Sequence, residues 1–257
     1  MTDPIHVLYR FTLPDQRIQE YRFDIDPFSL ERSGGSVPPH PDWTRLEFQQ
    51  CSHCPLSADD HPHCPVALGL QDVVVPLGAL VSHQQIDVEA ITQERRVVMT
   101  VSAQHAVSSV MGLAVASSAC PYTAFLKPMA RFHLPLASLE ETVFRAISTY
   151  LVAQHLRRLD GLPVDDTLAG LDRIYQNLKI LNDAQARRLR SAAVMLRDAG
   201  LNALIILDNF AQTVPMVLDE GLAMLRPSFG PFLRTPMPTP FAPDAAPGAD
   251  HLLWTMP

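Results

Sequence analysis

Residues 5–11, IHVLYRF, and residues 21–26, YRFDID, alternate in polarity on either side of a turn-forming TLPDQ at 12–16. A period of two puts every second side chain of a strand on one face. Ile5, Val7, Tyr9 and Phe11 therefore share a face, and Pro14 and Asp15 supply the reversal. The stretch predicts an antiparallel hairpin with one wet face. The pattern recurs in QQIDVEAIT at 84–92 and RRVVMTVSAQ at 95–104, which predict a second hairpin, and TRLEF at 44–48 reads as one more short strand. Between these strands, PVALGLQDVVVPLGAL at 65–80 has helical spacing cut short by Pro76. SSVMGLAVASSAC at 108–120 is a run of small residues suited to a buried helix that neighbouring backbone approaches closely.

From about residue 136 the period lengthens. Ser138 and Glu141 have the spacing of a capping box, ahead of Val143, Phe144, Ile147 and Leu151, and Gly161 with Pro163 closes that helix. Leu168, Leu171, Tyr175, Leu178, Asn182, Gln185, Leu189, Ala192 and Leu196 then recur at spacings of three and four. Such a stripe is either the core seam of a helical bundle or a homodimer seam through residues 168–196; the polar Asn182 and Gln185 favour the bundle. Gly200 is expected to break this helix, Asn202 to cap the next, and Pro215 to kink it. Eight prolines fall between 227 and 257, which predicts a poorly ordered tail whose apolar end, HLLWTMP, is a candidate contact for a protein partner. The expected fold class is α+β. Antiparallel hairpins with helices occupy residues 1–135, a helical bundle residues 136–225, and the proline-rich tail residues 226–257.

Composition narrows the function. The chain has 257 residues, 47% of them hydrophobic and 18% charged, so a sizeable core is available. A net charge of −7 with no dense run of Lys or Arg argues against nucleic-acid binding. The most apolar later segment, residues 201–225, is interrupted by Asp208, Asn209, Asp219 and Glu220, which argues against a membrane span. No basic start followed by an apolar run opens the sequence, and the expected location is the cytoplasm.

The chemistry concentrates in CSHCPLSADDHPHCPVALGL at 51–70. Cys51, Cys54, Cys64 and Cys120 make C-x2-C-x9-C-x55-C, a count that suits tetrahedral zinc and a [4Fe–4S] cluster equally. Cys54, Cys64 and Cys120 each precede a proline, which holds each in extended geometry. His53, His61 and His63 are read as bystanders once four thiols are available. The expected function is a metal-binding module with a structural zinc or an iron–sulfur cluster, acting in regulation or redox. The alternatives are a thiol oxidoreductase using Cys51 and Cys54, and unligated cysteines. Lys127, Arg131 and His133, just beyond Cys120, are candidate cofactor-binding residues, able to offset thiolate charge or to hold an anionic ligand. Nucleophile-elbow, phosphate-loop, dinucleotide and HExxH patterns do not occur. Asp208 and Asp219, about 16 Å apart along a helix, are too distant to act as a carboxylate pair.

LEFQQCSHCPL at 46–56, HPHCPVALGL at 61–70, SSACP at 117–121 and LKPMARFHLPLASLEETVFR at 126–145 resemble the hallmark segments of a bacterial family known as a domain of unknown function. The resemblance spans roughly residues 40–160 and weakens through the later helices. It implies relatives that are cytoplasmic bacterial proteins with the same cysteine arrangement, and it implies no reaction.

Overall fold

A computed structural model describes residues 3–34, 36, 38–76, 80–192 and 198–235. Four antiparallel strands form one sheet: β1 (Ile5–Thr12), β2 (Ile18–Ile25), β3 (Gln85–Thr92) and β4 (Arg96–Ser102), in the order β2-β1-β3-β4. Both predicted hairpins are present, and β1 joins them by pairing with β3. Tyr9 stands opposite Tyr21 on one side and Ala90 on the other. The alternation decides which face is covered. Ile5, Val7, Tyr9, Phe11, Tyr21, Phe23, Ile25, Ile86, Val88 and Ala90 are all buried. On the wet face Arg10 bridges Glu20 at 2.8 Å and Glu89 at 2.9 Å across three strands.

Helices follow where the longer period appears: α1 (Pro65–Val74), α2 (Ala103–Ala116), α3 (Lys127–Arg131), α4 (Leu139–Leu159), α5 (Ala169–Ser191), α6 (Asp198–Asp219) and α7 (Arg226–Arg234). The small residues of α2 let it sit centrally, against β3 and β4, against α1 and against α6. Gly69 of α1 shows how close this is, because a Cβ there would lie 3.3 Å from the Ala114 carbonyl oxygen. The Ser138–Glu141 capping box forms with both of its hydrogen bonds. Gly161, at φ +69°, follows the end of α4, a backbone conformation that glycine adopts at least cost.

Two apolar clusters hold the chain together. One joins the sheet, α1 and α2 to Leu181 and Leu189 of α5 and to Ala199, Ala203 and Leu204 of α6. The other joins Val143, Ala146, Ile147 and Tyr150 of α4 to Leu171, Tyr175 and Leu178 of α5 and to Ala211, Val214 and Val217 of α6. From Leu171 to Leu189 the stripe of α5 is thus buried inside the chain, and Leu196 lies outside the described residues. The first cluster takes side chains from both sides of residue 135.

Several local expectations need correction. TRLEF is not a strand. Residues 42–44 form a short 3-10 turn, and Arg45 makes a single bridge with His63. Its bonding is with residues 62–64, where Leu46 N–H donates to the Pro62 carbonyl and Cys64 N–H to the Thr44 carbonyl, so no longer ladder grows. In α4, Phe144 and Leu151 are exposed, and Ala146 and Tyr150 take their places in the core. α5 ends at Ser191, and Gly200 and Asn202 lie inside α6, where local propensity is outweighed by packing against α2 and α5. Residues 226–234 of the expected tail form α7, and the segment from 236, including HLLWTMP, lies outside the described residues. Among the described residues α6 is the one single helix long and apolar enough to cross a membrane; it contributes to both apolar clusters.

Candidate functional site

The cysteine loop is held in place from α5. Arg188 is 1% exposed, and its Nη1 donates to the carbonyls of Trp43 at 2.7 Å and Arg45 at 2.6 Å, while Nη2 donates to Leu46 at 2.8 Å. Gln185 Nε2 contacts Cys64 Sγ at 3.6 Å. His53 stacks on Tyr122 with ring centroids 3.9 Å apart, and Tyr122 Oη donates to the His53 carbonyl. Cys64 and Cys120 are extended, at φ/ψ −69°/121° and −75°/128°. Each is the residue before a helical segment that starts on proline, namely α1 and the 3-10 turn Pro121–Leu126.

This overturns the metal-centre reading. Among the described residues no group of three or more His, Cys, Asp or Glu side chains could hold a metal ion. All four cysteines are free. The Cys-Pro pairs at 64–65 and 120–121 mark helix starts, where a missing N–H costs nothing and φ is already suitable. Cys64 belongs to the first apolar cluster, and Cys51, Cys54 and Cys120 pack against it. Burial first, and then the neighbouring thiols, push Cys51 up to about 11; burial likewise raises Cys120 to about 11. A nucleophilic dithiol needs a thiol whose pKa is lowered, and Cys51 is pushed the other way, so the oxidoreductase alternative with Cys51 and Cys54 has no support in this loop. In this loop the cysteines act as small apolar side chains.

The three basic residues beyond Cys120 part company. Lys127 Nζ donates to the carbonyls of Ser118 at 2.7 Å and Leu30 at 3.4 Å and lies 3.4 Å from Glu31. Arg131 faces Glu94 in the β3–β4 turn at 3.6 Å. His133 lines a cavity of ≈ 150 Å³ bounded by α2, α3, α4, α5 and α6.

The walls of that cavity are mainly apolar, including Leu113, Met129, Leu178, Leu207 and Phe210, with Gly112 leaving room on the α2 side. Among the polar side chains that break the apolar lining are His105, Asn182, His133 and Arg145. Leu136 N–H donates to Ser109 Oγ at 2.9 Å, Ser109 Oγ lies 2.7 Å from Tyr9 Oη, and Tyr9 Oη lies 2.6 Å from His133 Nε2. Burial, then the nearby Arg145, pushes His133 down to about 3, so its ring is neutral. A neutral ring closes the chain in either direction, with Ser109 donating to Tyr9 and Tyr9 to Nε2, or with Nε2–H donating to Tyr9 and Tyr9 to Ser109. In the first arrangement the ring proton sits on Nδ1. Arg145, on α4, uses Nη2 to reach the carbonyls of Met129 at 2.8 Å and Phe132 at 3.0 Å. No carboxylate pairs with it among the described residues. Burial lowers its pKa; Tyr175, Glu141 one turn away and Tyr9 act against that, and the guanidinium stays charged.

The family model for a domain of unknown function (DUF6901) matches residues 7–230. The chain belongs to this family. No curated protein and no solved structure matches it. The family description carries no activity, so the chemistry of this member has to be read from its own cavity.

Arg145 was missed in the sequence, although a signal exists. It is the only Lys, Arg, Asp or Glu between residues 142 and 156, in a helix that is otherwise apolar or neutral there. His133 was singled out, but the sequence gives no hint that its partner is Tyr9, 124 residues away.

Proposed function

We propose that this protein is a cytoplasmic small-molecule binding protein whose cavity takes an amphipathic ligand, with an apolar body and an anionic head such as a carboxylate. The observation that carries this reading is Arg145, a partly buried guanidinium on the wall of an apolar cavity with no carboxylate partner among the described residues. Keeping a cation in such surroundings costs free energy unless an anion accompanies it. Nη2 is satisfied by two carbonyls; Nε and Nη1 have no acceptor among the described residues. In its Nδ1–H tautomer neutral His133 supplies a second donor, with no protein acceptor among the described residues. A space of ≈ 150 Å³ accepts a benzene-sized or short-chain body.

The test is calorimetric titration of the full chain with hexanoate and with 1-hexanol. Hexanoate should bind at least about ten-fold more tightly, since charge-assisted hydrogen bonds contribute about 1.5–3 kcal/mol. Arg145→Met should remove that preference while leaving the alcohol's affinity in place. Absence of saturable binding by either compound, or a preference unchanged in Arg145→Met, overturns the reading.

A further inference from the structure

The helix α4 is apolar on two opposite sides, and only one of them is used within the chain. Val143, Ala146, Ile147 and Tyr150 are buried against the second cluster. On the other side Phe144, Leu151, Val152 and Leu159 are 45%, 49%, 59% and 69% exposed. At 100° per residue these four fall within one arc of about 100°, and they run about 22 Å along the helix. Between Phe144 and Leu159 the other residues on that arc are Ser148 and His155, and Glu141, one turn before Phe144, is the formal charge that bounds the stripe at its N-terminal end. A largely apolar exposed face of this length on a surface helix marks an interaction site. Phe229 of α7, its ring 6.3 Å from that of Phe144, extends it at one end.

We propose that this face pairs with the same face of a second copy, antiparallel, about a two-fold axis near Thr149. The charges at the two ends of α4 select that partner and that direction. Glu140 lies in the first turn and Arg158 in the last. They are eighteen residues apart, which is five full turns, so both flank the stripe on the same side. In an antiparallel pair equal flanks meet, and Glu140 comes opposite Arg158 of the partner subunit at both ends. A parallel pair would instead bring opposite flanks together and leave Glu140 and Arg158 at opposite ends of the seam, unable to meet. Glu140 makes no ion pair among the described residues. Arg158 pairs with Asp166 at 2.6 Å, both well exposed, and such a pair yields readily to a second acceptor. The antiparallel arrangement also brings each helix N-terminus beside the partner's C-terminus, which is favourable for the dipoles.

Sedimentation equilibrium on the full chain across a dilution series tests this. The expected result is a reversible dimer. Leu151→Glu and Val152→Glu, both at exposed positions, should each give monomer with an unchanged circular dichroism spectrum. Glu140→Arg should weaken the dimer at least ten-fold, and the double change Glu140→Arg with Arg158→Glu should recover most of the loss. A chain that is monomeric throughout the series overturns the proposal. So does a dimer indifferent to Leu151→Glu and Val152→Glu, or a double swap no better than the single change.

Discussion

Arg188 of α5 reaches back 145 residues and donates to the Trp43 carbonyl at 2.7 Å, with Arg45 and Leu46 as its other acceptors. One buried side chain thereby donates to three carbonyls in a segment whose regular structure is limited to a short 3-10 turn and one isolated bridge. Loops that lack a regular hydrogen-bond ladder need such a partner, and here it takes the place a metal was expected to fill in stapling the cysteine loop.

Removing Arg188 should therefore be costly. Arg188→Met leaves the buried carbonyls of Trp43 and Leu46 without a donor, at about 1–3 kcal/mol for each group left unsatisfied, while the Arg45 carbonyl keeps the Phe48 N–H at 3.2 Å. The expected loss is about 2 kcal/mol or more. Arg188→Lys keeps the charge but not the fork of donors, and should fall between the two. Urea unfolding of the three proteins measures this, and a loss under about 1 kcal/mol in Arg188→Met would show that water replaces the guanidinium without difficulty.

Two helix glycines should respond in opposite ways to the same change. Alanine in a helix interior is worth about 0.5–1 kcal/mol over glycine. A Cβ at Gly112 would meet only Leu207 Cδ2, at 3.5 Å, an ordinary contact, so Gly112→Ala should stabilise by about that amount. At Gly69 the Cβ would press on the Ala114 carbonyl oxygen at 3.3 Å, which is backbone of the central helix and has little room to yield. Gly69→Ala should be neutral or destabilising. Thermal melting temperatures of the pair decide it, and an equal gain at both sites refutes the close-approach argument.

Acid sensitivity should trace to His133. Its folded pKa is pushed down to about 3 by burial and by Arg145, whereas an unfolded histidine titrates near 6.5. The native state refuses a proton that the unfolded chain accepts, so this contribution is fully present above pH 6.5 and is lost as pH falls toward 3. The slope is at most about 1.4 kcal/mol per pH unit. Asp165, whose carboxylate is held low by Thr167, Gly170 and Tyr150, acts in the same direction at lower pH. Between pH 7 and 5 the loss should belong mainly to His133, and His133→Asn should remove most of it. Denaturant midpoints at the two pH values check this; an identical loss in His133→Asn would place the sensitivity elsewhere.

By itself the sequence determined what depends on local period and local capping. The alternation in 5–11, 21–26, 84–92 and 95–104 is a property of neighbouring residues, and all four strands are present. The Ser138–Glu141 box closes within four residues and forms as expected. Tertiary structure alone decided the rest. A cysteine before proline reads the same whether it binds metal or precedes a helix, and the burial that keeps Cys51 and Cys120 neutral comes from elements distant in the chain. Phe144 and Val143 are adjacent and equally apolar, yet only Val143 faces the α5–α6 pair. The cavity exists because five helices fail to fill the space between them, and Arg145 and His133 face it from segments whose sequence does not show which way either side chain turns. Hydrophobic period tells which side chains share a face; which face is covered, and by what, depends on long-range packing that no local pattern encodes.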